Sequence, residues 1–320
     1  MVGTKRYKAV VALPLAEHLL AQMAECDLVV LPGGRADGAL FDKAMADAEG
    51  LLVSSNVTID REVMASAPRL RVISTMSVGV DHIDLAAAHE RHITVTITPV
   101  LSDAVADLAM ALMTMLSRRI PEGMRAVASG RWNETSLGGD LAEKHLLIVG
   151  FGRIGQALAT RALSARMRVR YVDSRRDVSP VPGVERADGL AEGLPSVDFV
   201  SLHVDLNANT RHLMGKEEFA LMKPGAFLIN TSRGGVVDQA ALAWAIAQEE
   251  IAGAGLDVLE DEPPRSDEPL LVAPNVIIVP HIGSATTETR AAMAQCAVEN
   301  LLLGLRNDRT PFAVTPAGAQ

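Results

Sequence analysis

The segment Leu146-Leu-Ile-Val-Gly-Phe-Gly-Arg-Ile-Gly155 decides the fold of the second half of the chain. Its first four residues form a short apolar run that is typical of a buried strand. The pattern Gly-x-Gly-x-x-Gly follows at once, and a helical pattern with Leu158 and Ala162 on one face comes next. A glycine turn between a strand and a helix is typical of a dinucleotide-binding βαβ unit.

Each residue of this turn has a predicted task. Gly150 makes the tight turn, Gly152 lets a pyrophosphate approach the backbone, and Gly155 allows the helix to pack closely on the strand. The start of the helix, at Arg153 and Ile154, presents N–H groups and the positive end of the helix dipole to the phosphates. The turn therefore predicts a bound dinucleotide.

The residues after the second strand bear on the choice between NAD and NADP. Asp173 lies 18 residues after Gly155, where a carboxylate is expected to bind the hydroxyls of the adenosine ribose. Its charge would repel the 2′-phosphate of NADP, which favours NAD. Ser174 and Arg175 come next, and Arg175 with Arg176 can instead bind that phosphate. The sequence predicts NAD and leaves NADP open.

Strand-like and helical runs alternate along the whole chain, which predicts parallel sheets covered on both faces. In the first half the strand-like runs are Ala9–Leu13, Asp27–Leu31, Gly50–Ser54, Arg71–Thr75 and Thr94–Thr96. In the second half, after Leu146–Val149, they are Arg168–Val172, Phe199–His203, Ala226–Asn230, Gly253–Val258 and Val276–Val279. The predicted fold class is α/β with two doubly wound parallel-sheet domains. The tail Thr310–Gln320 is predicted to be a loop.

Composition excludes several classes of protein. Of 320 residues, 48% are apolar and 22% are charged, as expected of a globular chain that fills two cores. A net charge of −9 argues against nucleic acid or an anionic membrane as partner. No apolar run reaches the roughly 18 residues of a membrane span. Cys26 and Cys296 show no metal or disulfide spacing, so we predict no metal and a cytoplasmic location.

Polar side chains follow three strand-like runs of the second half. Arg233 follows Ala226–Asn230, Asp257 lies near the end of its run with Glu262 soon after, and His281 follows Val276–Val279. Ligands of open α/β sheets bind at the carboxyl ends of the strands, where the glycine turn also lies. We therefore expect these side chains to share a site with the dinucleotide.

Their chemistry fits reversible hydride transfer to a 2-keto acid. His281 is the predicted proton donor to the carbonyl oxygen, and Glu262 favours and orients its protonated form. Arg233 is predicted to bind the substrate carboxylate through its planar fork, and Asp257 to accept from the nicotinamide carboxamide. Each residue alone has a plain alternative: a structural histidine, an arginine paired with Asp238, and a solvated glutamate.

These segments resemble the D-isomer-specific 2-hydroxyacid dehydrogenases over nearly the whole chain. The matching segments are Ser77–Asp81, Gly150–Gly155, Asn230–Asp238, Ala254–Val258, Asp261–Pro263 and Pro280–Thr286. Within that family the chain is most similar to the glyoxylate/hydroxypyruvate reductase branch. Three segments carry this likeness: Ser117–Glu122, Gly130–Trp132 and Gly283–Arg290.

The resemblance implies a catalytic set of Arg233, Glu262 and His281, with backbone N–H groups of Val78 and Gly79 holding the substrate carboxylate. It implies further cofactor contacts at His203, Thr210, Thr231, Ser232 and Gly283. Residues 99–286 would form the Rossmann cofactor domain. Residues 1–98, completed by 287–320, would form a flavodoxin-like substrate domain, and two copies would pair through their cofactor domains as a homodimer.

The sequence thus predicts NAD(P)H-dependent reduction of glyoxylate, hydroxypyruvate or a related 2-keto acid to the D-2-hydroxy acid. One alternative is a non-catalytic protein that senses NAD(H), like a corepressor. Another is a dehydrogenase of a different oxyanion, such as phosphite or a phosphorylated hydroxy acid, to which Arg35 would contribute.

Overall fold

The computed structural model describes residues 6–132, 137–174 and 179–314. The chain divides into two compact units, one formed by Met1–Leu101 with Thr287–Gln320 and the other by Ser102–Thr286. Among the helices described, none combines the length and the apolar character that crossing a bilayer requires.

The first unit is built on one sheet of six strands. These are β1 (Tyr7–Ala12), β2 (Cys26–Val30), β3 (Gly50–Val53), β4 (Val72–Thr75), β5 (Thr94–Thr96) and, from the end of the chain, β13 (Ala313–Val314). Five helices accompany them: α1 (Glu17–Gln22), α2 (Ala39–Met45), α3 (Arg61–Ser66), α4 (Leu85–Glu90) and α11 (Thr287–Arg306). The strand order is β2-β1-β3-β4-β5-β13.

Two apolar clusters cover the two faces of this sheet. One consists of early residues only, with Phe41, Leu51, Ile59 and Ile73 among them. The other joins residues of β1, β3 and β4 to α11, whose side chains Ala297, Val298, Leu301, Leu302 and Leu305 are all buried. Because β3 is buried on both faces, its sequence is an unbroken apolar run rather than an alternating one. The strand β4 is equally buried but ends in the polar residues Ser74 and Thr75.

The tail corrects one prediction. Residues 310–320 were expected to form a loop, yet Ala313 and Val314 pair antiparallel with Thr96 and Val95 of β5. A strand of two residues has too little sequence for a periodic pattern, so only the pairing with β5 defines it. The helix α4 begins after Asp84, whose side chain caps it by accepting from the N–H of Ala87 at 2.8 Å.

The second unit is built on one sheet of seven strands. These are β6 (His145–Val149), β7 (Arg168–Val172), β8 (Val184–Arg186), β9 (Phe199–Leu202), β10 (Phe227–Asn230), β11 (Gly253–Leu256) and β12 (Val276–Ile278). Six helices belong to this unit: α5 (Ser102–Ser117), α6 (Ile120–Ala128), α7 (Arg153–Ser164), α8 (Leu190–Gly193), α9 (Lys216–Leu221) and α10 (Gln239–Ala247).

All neighbouring strands of this sheet run parallel, in the order β8-β7-β6-β9-β10-β11-β12. The order reverses between β6 and β9, which makes the carboxyl ends of these two strands the switch point at which open α/β sheets bind ligands. The predicted fold class is confirmed. The strands β9 and β11 end earlier than predicted, at Leu202 and Leu256. The N–H groups of His203 and Asp257 still donate to Val149 and Asn230 of the neighbouring strands.

Candidate active site

The glycine turn lies at the switch point and allows no side chain at two of its positions. Gly150 has φ of +93°, and a Cβ there would lie 2.4 Å from the carbonyl oxygen of His203 at the end of β9. A Cβ on Gly155 would lie 2.3 Å from the carbonyl oxygen of Gly150. Only glycine therefore lets β6, β9 and α7 approach this closely.

The N-terminus of α7 is open where a phosphate would bind. Gly152 precedes the helix, no described side chain caps it, and a Cβ built on Gly152 meets no atom within 4 Å. The first-turn N–H groups of a helix have no partner within the helix, so those at the start of α7 are suited to a ligand beside Gly152. This arrangement fits the pyrophosphate of a dinucleotide.

Asp173 follows β7 and is tied to the glycine turn. Its Oδ2 accepts a hydrogen bond of 2.7 Å from the N–H of Phe151, whose ring stacks on Tyr171 with centroids 4.2 Å apart. The carboxylate is thus held beside the turn, as binding of a ribose requires. Ser174 is exposed, and Arg175 and Arg176 lie outside the described residues.

Two buried polar atoms at the same sheet edge have no hydrogen-bond partner in the part of the chain described. They are Nδ1 of His203 and Oγ1 of Thr231. Burial lowers the pKa of His203 to about 3, so its ring is neutral, and its Nε2 lies 2.8 Å from Oγ of Ser201. Buried polar atoms normally have partners, so these two atoms fit a bound nicotinamide dinucleotide that would satisfy them.

Thr210 has a different environment from these two residues. Its hydroxyl donates to the carbonyl oxygen of Asp205 at 2.6 Å and accepts from the N–H of Asn207 at 2.8 Å. The side chain therefore closes a turn after β9. Its predicted contact with the cofactor stays a prediction.

The loop that carries Arg233 is fixed by Asn230, a residue to which the sequence analysis gave no role. Asn230 is 1% exposed, and its Oδ1 accepts from both the N–H and the hydroxyl of Ser232, at 3.0 and 2.8 Å. Its Nδ2 donates to the carbonyl oxygen of Arg233 at 2.9 Å. One buried amide thus sets the backbone on both sides of Ser232. Asp238 caps α10, because its Oδ1 accepts from the N–H of Ala241 at 2.9 Å.

The next residue brings two loops together. A Cβ on Gly234 would lie 1.9 Å from the carbonyl carbon and oxygen of Leu259, so the two backbones are in direct contact. Leu259 in turn donates its N–H to Oε1 of Glu262 at 3.1 Å. The Arg233 loop and the Glu262 loop therefore form one packed layer.

His281 and Glu262 form a hydrogen-bonded pair. Nδ1 of His281 lies 2.8 Å from Oε2 of Glu262, and Nε2 of His281 has no partner among the described residues. The hydrogen bond with Glu262 raises the pKa of His281, against the opposing effect of burial. Burial alone would raise the pKa of Glu262, but the hydrogen bond and charge of His281 lower it. The charge of Arg233 also acts on both groups.

Asp257 organises the turn in which His281 sits. Its Oδ1 accepts from the N–H of Ile282 at 2.6 Å, its Oδ2 from the N–H of Gly283 at 2.9 Å, and its carbonyl oxygen from the N–H of His281 at 3.0 Å. His281 adopts φ of +52°, a conformation that few residues other than glycine take. Burial raises the pKa of Asp257. Its predicted contact with the nicotinamide stays a prediction.

Val78 and Gly79 belong to the first unit and follow β4. Both are partly buried, and neither N–H group donates a hydrogen bond to a described residue. Two adjacent N–H groups at the carboxyl end of a parallel strand are suited to an oxyanion.

Comparison with known proteins agrees with this geometry. The family model for the NAD binding domain of D-isomer specific 2-hydroxyacid dehydrogenases matches residues 110–283. A glyoxylate reductase of Thermococcus litoralis is 42% identical over 307 residues, 92% of each chain. Glyoxylate/hydroxypyruvate reductase B of Escherichia fergusonii is 44% identical over 285 residues, 87% of this chain and 88% of the relative.

A solved structure of a similar protein contains a bound cofactor. The NADPH-dependent glyoxylate/hydroxypyruvate reductase SmGhrB of Sinorhizobium meliloti, crystallised with NADP and malonate, superposes with a TM-score of 0.87 at 32% identity and covers 97% of both chains. The chain belongs to the D-isomer specific 2-hydroxyacid dehydrogenase family. It is an NAD(P)-dependent dehydrogenase whose relatives include glyoxylate and glyoxylate/hydroxypyruvate reductases, and the predictions of family, enzyme class and NAD(P) are confirmed.

Proposed function

We propose that this enzyme reduces glyoxylate, hydroxypyruvate or a closely related small 2-keto acid to the D-2-hydroxy acid. The observation that carries the proposal is the His281–Glu262 pair, held at 2.8 Å on the sheet edge that also bears the glycine turn. The names of the relatives support the substrate class.

Three side chains of the second unit do the chemistry in this proposal. His281 donates a proton from Nε2 to the substrate's carbonyl oxygen, and Glu262 stabilises the imidazolium through Nδ1. Arg233 binds the carboxylate next to the carbonyl and draws electron density toward the oxygen. The reduced nicotinamide, when bound, supplies the hydride for the carbonyl carbon.

The cofactor contacts follow from the same sheet edge. Gly152 and the N-terminus of α7 receive the pyrophosphate, and Asp173 receives the adenosine ribose. His203 and Thr231 offer their unpartnered atoms to the nicotinamide half. Val78 and Gly79 of the first unit, which would then be the substrate-binding domain, hold the substrate carboxylate through their N–H groups.

Two alternatives receive less support. A protein that only senses NAD(H) has no use for a histidine whose pKa is raised by a carboxylate partner, whereas a reductase needs one. A phosphorylated substrate needs a free cation, and Arg35 is already paired, with its Nη1 3.3 Å from both Oδ2 of Asp60 and the carbonyl oxygen of Thr58.

Turnover tests the proposal directly. The protein is mixed with NADH or NADPH and, separately, with glyoxylate, hydroxypyruvate, pyruvate, 2-ketogluconate and a phosphorylated 2-keto acid. Oxidation of the reduced nicotinamide is followed by the loss of its near-ultraviolet absorbance. We expect the highest kcat/KM with glyoxylate or hydroxypyruvate. Absence of turnover with every acid contradicts the proposal, and chiral analysis of the hydroxypyruvate product tests the D configuration.

Replacing Asp173 tests the preference for NAD. Asp173→Ala removes the charge and the acceptor for Phe151, and we expect KM for NADH to rise about tenfold while KM for NADPH changes less. Asp173→Asn is the matched control, because it keeps an acceptor for Phe151 and removes only the charge. An unchanged ratio of kcat/KM for the two cofactors in both variants would show that Asp173 does not bind the ribose.

We also propose a homodimer that pairs through the second unit. Apolar side chains of and after α6 are exposed, including Met124 at 65%, Trp132 at 77% and Leu137 at 96%. Exposed large apolar side chains in one stretch of sequence support an interface there, because burial against a partner would remove them from water. Sedimentation equilibrium should give twice the chain mass of 33.9 kDa, and a single-chain mass would overturn the proposal. The free thiols Cys26 and Cys296 support the cytoplasm as its compartment.

A further inference from the structure

Three buried polar side chains of the first unit lie behind the Val78–Gly79 segment. Thr75, Ser77 and His82 are 0%, 7% and 8% exposed. Oγ1 of Thr75 lies 3.0 Å from Nε2 of His82 and 2.9 Å from Oγ of Ser77. Oγ of Ser77 donates to the carbonyl oxygen of Gly79 at 2.7 Å. Burying polar groups costs free energy unless they are paired, and these hydrogen bonds offset that cost.

The chemistry of the groups fixes the direction of every bond. A carbonyl oxygen only accepts, so the single hydroxyl hydrogen of Ser77 points to Gly79. Ser77 must then accept from Thr75, which uses the one hydrogen of that hydroxyl. Thr75 can therefore only accept from His82, and Nε2 of His82 must carry a hydrogen. The result is one directed chain of hydrogen bonds, in which His82 donates to Thr75, Thr75 donates to Ser77, and Ser77 donates to the carbonyl oxygen of Gly79.

The backbone on both sides of this chain is also tied down. The carbonyl oxygen of Ser77 accepts from the N–H and the hydroxyl of Thr98, at 2.9 and 3.3 Å. The carbonyl oxygen of His82 accepts from the N–H of Ile59 at 2.7 Å. Between these anchors, the N–H groups of Val78 and Gly79 donate to nothing within the described ranges. The bonds therefore orient a short segment whose two donors remain available.

We propose that His82, Thr75 and Ser77 are positioning residues that set the Val78–Gly79 peptide for binding of the substrate carboxylate. None of them touches the substrate; they act by fixing the carbonyl of Gly79 and hence the orientation of the neighbouring N–H groups. The inference rests on the proposed function and adds to it a specificity device outside the proton-transfer pair. A carboxylate that is bound equally in the ground and transition states affects KM rather than kcat.

The test uses the full-length enzyme with glyoxylate and NADH. The variants Ser77→Ala, Thr75→Val and His82→Phe each remove one member of the hydrogen-bonded series and the bonds that it makes. We expect KM for glyoxylate to rise about five- to tenfold in each, the change that corresponds to one neutral hydrogen bond. KM for NADH and the pH dependence of kcat should stay within about twofold of the wild type, because the Glu262–His281 pair is untouched.

Two further variants separate positioning from folding. Ser74→Ala removes another fully buried hydroxyl of the same strand, but that hydroxyl donates to the carbonyl oxygen of Ala297 in α11, at 2.8 Å, and not to the loop. It should lower the thermal midpoint as the other variants do and leave KM for glyoxylate unchanged. His82→Gln keeps an N–H donor, so its KM for glyoxylate should rise much less than that of His82→Phe.

A double variant tests the chain as one unit. If the bonds act in series, Thr75→Val with Ser77→Ala raises KM no further than Ser77→Ala alone, since the link to Gly79 is already lost. Unchanged KM for glyoxylate in folded Ser77→Ala, or an equal rise in Ser74→Ala, would overturn the proposal. A wild-type enzyme that turns over no 2-keto acid would instead reject the proposed function, so the two failures are distinguishable.

Discussion

His281→Ala should lower kcat for glyoxylate reduction by roughly 10²- to 10⁴-fold, the range for losing a positioned proton donor. The reason is that Nε2 of His281 is the proposed source of the proton, while Nδ1 of the same ring is held 2.8 Å from Oε2 of Glu262. The measurement is steady-state turnover of NADH with saturating glyoxylate. KM for NADH should change little, because His281 is not among the cofactor contacts of the proposal.

The chain offers a matched control for this variant. His212 and Glu260 form a second histidine–carboxylate pair in the same unit, with Nε2 and Oε1 2.5 Å apart and with side chains exposed to a similar degree. His212→Ala removes an equivalent pair that has no part in the proposed mechanism. Equal losses in His281→Ala and His212→Ala would show that the effect is structural and that His281 is not the proton donor.

Glu262→Gln should move the pH limit of reduction to lower pH. The hydrogen bond with Glu262 raises the pKa of His281, so removing the charge lowers that pKa. Reduction needs the protonated ring, and its rate falls as pH rises through the pKa of His281. The fall should therefore begin earlier in the variant, with about a tenfold deficit above both pKa values for each unit by which the pKa drops.

The deficit should be smallest in acid, where both enzymes carry the proton. Oxidation of D-glycerate needs the neutral ring, so the lower pKa of His281 should favour the variant in acid, and this advantage should disappear above both pKa values. The measurement is kcat against pH in both directions, with Glu260→Gln as the control. A uniform loss at every pH would contradict a role of Glu262 through the pKa of His281.

Local sequence patterns were sufficient to predict much of this architecture. The glycine turn could be predicted because a strand, three glycines and an amphipathic helix are adjacent in sequence. Arg233 and His281 could be assigned to one edge because both follow apolar runs, and parallel strands end together. Very short strands such as β8 and β13 have too few residues for a periodic pattern to predict them.

What the sequence could not reveal depends on contacts between distant segments. Asp257 reads as a free carboxylate at a strand end, yet its oxygens bind N–H groups 25 and 26 residues later. Gly234 reads as one glycine of a pair, and its contact with the backbone of Leu259 appears only when β10 and β11 are side by side. Thr75 and His82 read as ordinary residues of a strand and a loop, because hydrogen-bond direction requires coordinates.

The discontinuous first unit has a consequence for synthesis of the protein. As the ribosome releases the chain, β1, β3 and β4 appear early, but α11, which buries one face of their sheet, is made last. The unit Ser102–Thr286 is contiguous and has all its strands before then. It can therefore fold first, while the N-terminal segment waits with Val11, Leu52 and Val72 uncovered. Late synthesis of α11 thus leaves this apolar surface of the nascent chain exposed to aggregation until the helix packs on it.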